Sequence, residues 1–337
     1  MSGLASEDEL VALLRKLLAD DSPGVRLGPG DDAALVEMGD HLAVLTTDMM
    51  VEGVDFERRT ISPTDLGYKA LSASVSDVAA MGGSPRFGLV SLGLPTEVEA
   101  SWVVELYGGL REAAGEYAMS IVGGDTSRAD GVVVSVAIVG EVAMGQAILR
   151  SGASPGDRIV VTGSLGAAAG GLRIAEAPPH SVASVAGSEW GRELLAAQYR
   201  PVARVGEGQA LARAGATSMI DVSDGLALDL SRLCRESSVG ARLSLDRLPA
   251  ALGLELLPAV LPDVEPMALV LSGGEDYELL VTLPPEAVEP VTERLREAFG
   301  TPLTDIGEIV AGSELVAVEA DGTERPLEAT GWDHFAS

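Results

Sequence analysis

Leu10, Leu13, Leu14, Leu17 and Leu18 fall on one helical face, and Ser6 and Glu9 stand in capping-box positions ahead of them. This spacing predicts an amphipathic helix at the start of the chain. The apolar run over 42–47 predicts a strand ending at Asp48. Ser62-Pro63-Thr64-Asp65 then offers a cap and a proline at the first helical position, predicting a helix through about residue 81. A strand is predicted over 86–93, a helix capped by Thr96 and Glu99 runs to about 117, and 119–122 and 132–142 are β-rich. In the last of these, Val133, Ser135, Ala137 and Val139 share one face, while Val132, Val134, Val136 and Ile138 form a more apolar one. Near residue 150 the pattern restarts. Loop chemistry over 151–157 leads to a strand at 158–162 and a glycine- and alanine-rich helix, whereas 176–188, with two prolines, predicts a surface connection. Helices near 202–214, 225–237 and 286–299 then alternate with strands near 217–221, 268–271, 277–283 and 303–310. The expectation is an α/β (α+β) chain in two domains, 1–150 and 151–337.

Composition narrows the partners. With 337 residues, 47% hydrophobic and 22% charged, the chain has material for two cores. A net charge of −28 argues against nucleic-acid backbones and anionic membranes. Of 23 basic residues only Lys16 and Lys69 are lysines, and neither follows a glycine, which excludes a Walker A loop. Cys234 alone cannot build a disulfide framework, and no apolar run approaches the 18 or so residues of a membrane span. The first residues are acidic, unlike a signal peptide, so the cytoplasm is expected.

The acids carry the chemistry. In Gly28-Pro29-Gly30-Asp31-Asp32-Ala33-Ala34, turn residues deliver two adjacent carboxylates to the start of an apolar run. Carboxylates about 4 Å apart repel by roughly 4 kcal/mol at an effective dielectric near 20, so such a pair implies protonation, a basic partner or a metal. The device recurs at Asp48, Asp77, Asp125, Asp221 and Asp224, each at the edge of an apolar segment beside Gly, Ser or Thr. That is how a fold offers oxygen ligands to a hard cation such as Mg2+. Asp77 falls late in its helix, where the dipole disfavours negative charge, which favours a ligand role. Gly123-Gly124-Asp125-Thr126 and Ser272-Gly273-Gly274-Glu275-Asp276 read as glycine turns leading into acids, where backbone N–H groups could approach phosphate. Either one alone is more often a simple turn. Carboxylates cannot hold polyphosphate directly, but several Mg2+ ions between the two sets of anions allow it.

These segments, together with Thr46-Thr47-Asp48, Ser76-Asp77-Val78-Ala79-Ala80-Met81-Gly82, Arg150-Ser151-Gly152-Ala153 and Asp221-Val222-Ser223-Asp224-Gly225-Leu226, occur in an order that resembles the thiamine-monophosphate kinases. The C-terminal Gly331-Trp332-Asp333-His334-Phe335 is similar too. The resemblance implies the two-domain architecture of the aminoimidazole ribonucleotide synthetase superfamily, with an N-terminal domain that pairs into a homodimer. It implies Asp32, Asp48, Asp77, Asp125, Asp221 and Asp224 as magnesium ligands, with Thr46 and Thr47 assisting. Gly124, Asp125, Arg150 and Ser223, beside Thr46 and Thr47, would meet ATP, and Glu275 and Trp332 the thiamine phosphate. Asp77, Asp125, Arg150 and Asp224 would carry the transfer. Asp55 stands where the family usually has a substrate-side histidine, and a carboxylate there would favour a cation over phosphate.

The implied reaction is direct in-line transfer of the γ-phosphoryl of ATP to thiamine monophosphate. The acceptor is already an anion, so positioning and charge neutralisation matter more than a base, in keeping with the lack of an obvious His or Lys. A purine-pathway synthetase of the same superfamily and a non-catalytic metal or nucleotide sensor are the alternatives. A selenophosphate synthetase fits less well, because Cys234 is far from the N-terminal glycine stretch.

Overall fold

The computed structural model describes residues 6–18 and 22–335. The first half holds α1 (Glu7–Leu17), β1 (Val25–Leu27), β2 (Ala34–Met38), β3 (His41–Val51), α2 (Pro63–Ala80), β4 (Ser84–Leu94), α3 (Ala100–Glu116), β5 (Ser120–Arg128) and β6 (Val133–Ala143). The second holds β7 (Arg158–Thr162), α4 (Ala167–Glu176), α5 (Pro179–Ala186), α6 (Glu189–Tyr199), α7 (Val205–Arg213), β8 (Ser218–Asp221), α8 (Leu226–Ser237), β9 (Gly240–Ser244), α9 (Pro266–Ser272), β10 (Leu279–Leu283), α10 (Pro285–Phe299), β11 (Leu303–Val310), β12 (Leu315–Val318) and β13 (Glu324–Pro326). Two sheets result, ordered β1-β2-β3-β6-β4-β5 and β13-β12-β9-β11-β7-β10-β8.

Helix α2 is the hinge of the architecture. Ser62 caps it by accepting from the Asp65 N–H at 3.1 Å, and Pro63 opens it. Every residue from Leu66 to Ser76 is buried, as expected of a helix packed on all sides. One side meets β3, β6 and β4, and the other meets α3, α7 and β8. Its small residues allow this crowding: a side chain at Gly109 of α3 would sit 1.7 Å from the Thr64 carbonyl oxygen. The apolar face read in the sequence, Val132, Val134, Val136 and Ile138, is buried beneath α2.

Several segments depart from the sequence expectation. Residues 176–188 are not a plain connection: they contain α5, whose Val182 and Val185 join the second core. The apolar run 268–271 is helical, inside α9, because Pro266 sets the first turn of a helix. Strand β3 continues through Asp48 to Val51. Thr96 does not cap α3; the N-cap is Glu99, with no side-chain bond to the helix. The glycine turn at 123–126 is instead part of β5, paired with β4 from Leu89 to Leu92. Gly124 has φ +154, and a Cβ there would lie 1.7 Å from the Val90 carbonyl oxygen, so the strand pairing itself demands glycine. Helix α6 and strands β1, β2, β9, β12 and β13 carried no distinct signal in the sequence. Among the described residues no helix is long and apolar enough to cross a membrane.

Candidate active site

A cavity of about 930 Å³ is lined by residues from both halves of the chain, including α1, β3, α2, the 28–34 turn, Arg150, the end of β8, the 274–277 loop and Trp332. Three acids meet at its floor. Carboxylate oxygens of Asp32, Asp77 and Asp221 lie within 4.8 Å of one another. Each arrives by a different route: Asp32 from the turn before β2, Asp77 from the last turn of buried α2, and Asp221 from the end of β8.

Their surroundings explain how they are held. The Thr46 hydroxyl donates to Asp77, and Ser76 donates to Asp221 at 2.5 Å. Burial raises the pKa of Asp77 well above the usual carboxylate range, and the charges of Asp48, Asp221 and Asp32 add to it. Asp221 is raised likewise, first by burial and then by Asp32. Asp48, also on the α2 side of β3, is pushed up to about 6 by burial, with the Ser74 hydroxyl opposing. One oxygen of the fully buried Asp32 carboxylate, Oδ2, has no hydrogen-bond partner. Buried carboxylates this close can stay ionised only with a cation between them; otherwise they hold protons.

Two arginines flank the cluster. Arg150 donates from a guanidinium nitrogen to Asp32 Oδ1 at 2.6 Å, while its backbone N–H donates to Asp31 Oδ2 at 3.1 Å. Asp31 is pushed up to about 7 by burial and by Asp32. Arg232 of α8 donates to Asp224 and, at 3.0 Å, to Asp229. Asp229 in turn accepts the Asp224 and Gly225 N–H groups at 3.1 Å, and burial followed by the Asp224 charge pushes its pKa to about 7.

The acceptor-side candidates line the same cavity. Asp55 accepts the Val51 N–H at 2.7 Å, closing the turn after β3, and burial raises its pKa. Ser223 presents its carbonyl to the Glu275 N–H at 2.7 Å. Trp332 is half-exposed, packs edge-on against His334 with ring centroids 5.8 Å apart, and donates its backbone N–H to the Asp224 carbonyl at 2.9 Å. It does not plug the second core.

Three predicted residues lie apart from the cluster. Thr47 points to the other face of the sheet, 3.5 Å from the Ser135 hydroxyl. Gly124 and Asp125 sit on exposed edge strand β5, outside the cavity lining, although Asp125 pairs with Ser91, Ser91 with Ser135 and Ser135 with Met49, in one row across the open face.

Sequence reading missed Lys69, Asp229 and Arg232. Lys69 could have been flagged as one of two lysines, set among the small and apolar residues of its helix, and Asp229 with Arg232 as an i,i+3 pair just after the Asp221–Gly225 segment.

Comparison with known proteins follows the geometry. Residues 30–142 match the AIR synthase related protein, N-terminal domain, and residues 154–319 the AIR synthase related protein, C-terminal domain. The chain is 38% identical over 317 residues to the thiamine-monophosphate kinase of Escherichia coli (strain K12), covering 93% of each. It is 37% identical over 314 residues to that of Bacillus subtilis (strain 168), covering 92% of this chain and 94% of the relative. A solved structure, AaThiL complexed with AMPPCP and TMP, superposes with a TM-score of 0.85 at 32% identity, covering 99% of both chains.

Proposed function

The chain belongs to the thiamine-monophosphate kinase family within the AIR synthase related proteins, and from that premise we propose that it phosphorylates thiamine monophosphate with ATP by direct, Mg2+-assisted in-line transfer at the Asp32–Asp77–Asp221 cluster. The observation that carries the metal is the donor set itself: three carboxylates converging within 4.8 Å, one of them with an orphaned buried oxygen. An all-oxygen, multiply anionic set fits Mg2+. Asp32, Asp77 and Asp221 would hold it, with Asp48, Asp224 and Thr46 beside them and room for more than one ion. Bound there, Mg2+ supplies positive charge to the phosphoryl oxygens and to the carboxylates at once.

The protein's own groups do the rest. Arg150, whose guanidinium rests on Asp32 through two N–H groups and whose backbone N–H is held by Asp31, offers its remaining N–H donors to the transferring phosphate. Ser223 contacts the nucleotide. Glu275, Trp332 and Asp55 receive thiamine monophosphate, with the indole covering a cationic ring and Asp55 suited to positive charge rather than phosphate. Arg232 and Asp229 keep the Asp224 segment in place. No base is required, because the acceptor phosphate is already an anion and the task is to bring it in line. The AaThiL complex with AMPPCP and TMP supports a site that takes a nucleotide and the acceptor together.

We divide the chain at 150: residues 1–150 supply most of the nucleotide, metal and dimer contacts, and 151–337 complete the site with Asp221, Ser223 and Asp224 and with Glu275 and Trp332 on the acceptor side. The homodimer forms on the open face of the first sheet, where Leu45, Met49, Phe87, Leu89 and Val122 are exposed. Leu45, Thr47 and Met49 also line the cavity, so a second copy on this face meets the cavity rim. Asp125, which shares that face, then acts in the partner's site, and Gly124, one residue before it, lets β5 approach β4 closely there. The chain works in the cytoplasm, where its nucleotide is supplied.

Incubation with labelled ATP and a panel of acceptors, read by product identification, tests the reaction. Labelled thiamine diphosphate is expected; turnover only on purine-pathway acceptors would replace the reading with a synthetase, and Mg2+-dependent nucleotide binding without turnover would replace it with a sensor.

A further inference from the structure

Lys69 is the largest fully buried side chain among the described residues, 1% exposed in the middle of α2. A lysine is almost never so deep without a fixed partner. Its ammonium lies 2.6 Å from Glu275 Oε1, and Gln198 Nε2 of α6, itself 4% exposed, donates to Glu275 Oε2 at 2.9 Å. Each carboxylate oxygen is therefore taken by a donor on a different helix. The backbone is set as tightly. Glu275 holds φ +67 and Tyr277 φ +51, both left-handed, and the Glu275 and Tyr277 N–H groups donate to the Ser223 and Val222 carbonyls at 2.7 and 2.9 Å. Non-glycine residues in that region persist where surroundings over-determine them, commonly at ligand clamps. Yet the Glu275 side chain stays 26% exposed and lines the cavity.

We propose that Lys69 and Gln198 are positioning residues that hold the Glu275 carboxylate fixed and aimed into the cavity, so that its remaining lone pairs receive the N–H-bearing heteroaromatic end of the phosphate acceptor. Lys69 comes from the first half of the chain and Glu275 from the second, so the clamp also sets acceptor specificity by the seating of the two halves. The inference rests on the acceptor reading of Glu275 given above.

The test is steady-state kinetics on the full chain with ATP and thiamine monophosphate. Lys69→Met, which keeps length and removes charge, is expected to raise the KM for thiamine monophosphate about tenfold, with kcat reduced less than about threefold and the KM for ATP unchanged. In a Glu275→Gln background the same change should add almost nothing, because the clamped charge is already gone. Should Lys69→Met not fold, Gln198→Met decides, with an expected rise in acceptor KM of about threefold to fivefold and none for ATP. Folded variants with unchanged acceptor KM, or with both KM values and melting temperature shifted together, would overturn the inference and leave a plain strut between the halves. A wild-type chain that makes no thiamine diphosphate would overturn both this and the functional reading, whereas active wild type with unaffected variants overturns this one alone.

Discussion

Asp77 and Asp125 follow similar stretches of sequence, small and apolar residues ending in a carboxylate, yet the fold treats them in opposite ways. Asp77 rides on α2, wedged between two sheets, and faces Asp32 and Asp221 across less than 5 Å. Asp125 lies on an edge strand in the open. The difference teaches that an acid at the end of an apolar segment is a candidate ligand, but topology decides whether other carboxylates come to meet it.

The sharpest way to break the comparison is at Asp77. Asp77→Asn should lower turnover at least about a hundredfold, a loss of several kcal/mol of transition-state stabilisation. The metal-free variant should melt close to wild type, since without a cation the buried Asp77 carboxyl already holds its proton and asparagine is likewise neutral. Turnover near wild type at saturating Mg2+ would take Asp77 out of the site. Asp125→Asn should lose about tenfold or more, but for a reason that mixing can reveal. If Asp125 serves the partner's cavity, random dimers of Asp77→Asn and Asp125→Asn chains contain one intact site in half of them, and activity should recover to about a quarter of wild type. No recovery after confirmed subunit exchange, or a monomer by light scattering, would place Asp125 outside any shared site.

Smaller effects sharpen the picture. Trp332→Ala should raise the KM for thiamine monophosphate several-fold to about thirtyfold, with little change for ATP, as expected for a ring contact on a cationic acceptor. A variant altered only in melting temperature would make Trp332 a packing residue. The carboxylates also set a pH signature. Asp31, Asp229 and Asp276 are pushed up to about 7 and Asp48 to about 6, chiefly by burial. Between about pH 4 and 7 the folded chain therefore holds protons that the unfolded chain has released, and stability falls as pH rises through that window. Metal-free melts should show this decline, and saturating Mg2+ should flatten it. A melting temperature that rises with pH across the window without metal would contradict the burial of these charges.

Much of this was legible beforehand, and the failures have physical causes. Helix α2 was readable because Ser62 and Pro63 punctuate its start, Asp32 because turn residues announce it, and Asp77 because an acid sits badly at the end of a helix. The 268–271 run was misread because a short apolar stretch carries no period, and α5 because its prolines, which open a helix, also mark loops. Gly123-Gly124 looked like a phosphate turn, whereas the glycine answers a backbone approach from β4 that only pairing reveals. Lys69 and Glu275 belong to distant segments, and neither predicts the other until α2 and the 274–277 loop are placed side by side.

One measurement bears most directly on the carboxylate site: rapid-quench transfer of labelled γ-phosphate from ATP to thiamine monophosphate, with free Mg2+ titrated from chelated to saturating. The expected result is label in the terminal phosphate of thiamine diphosphate, at a rate that vanishes on chelation and returns with Mg2+, and none on the protein. Transfer that persists after complete chelation, or label trapped covalently on the chain before product forms, would contradict direct metal-assisted transfer at Asp32, Asp77 and Asp221.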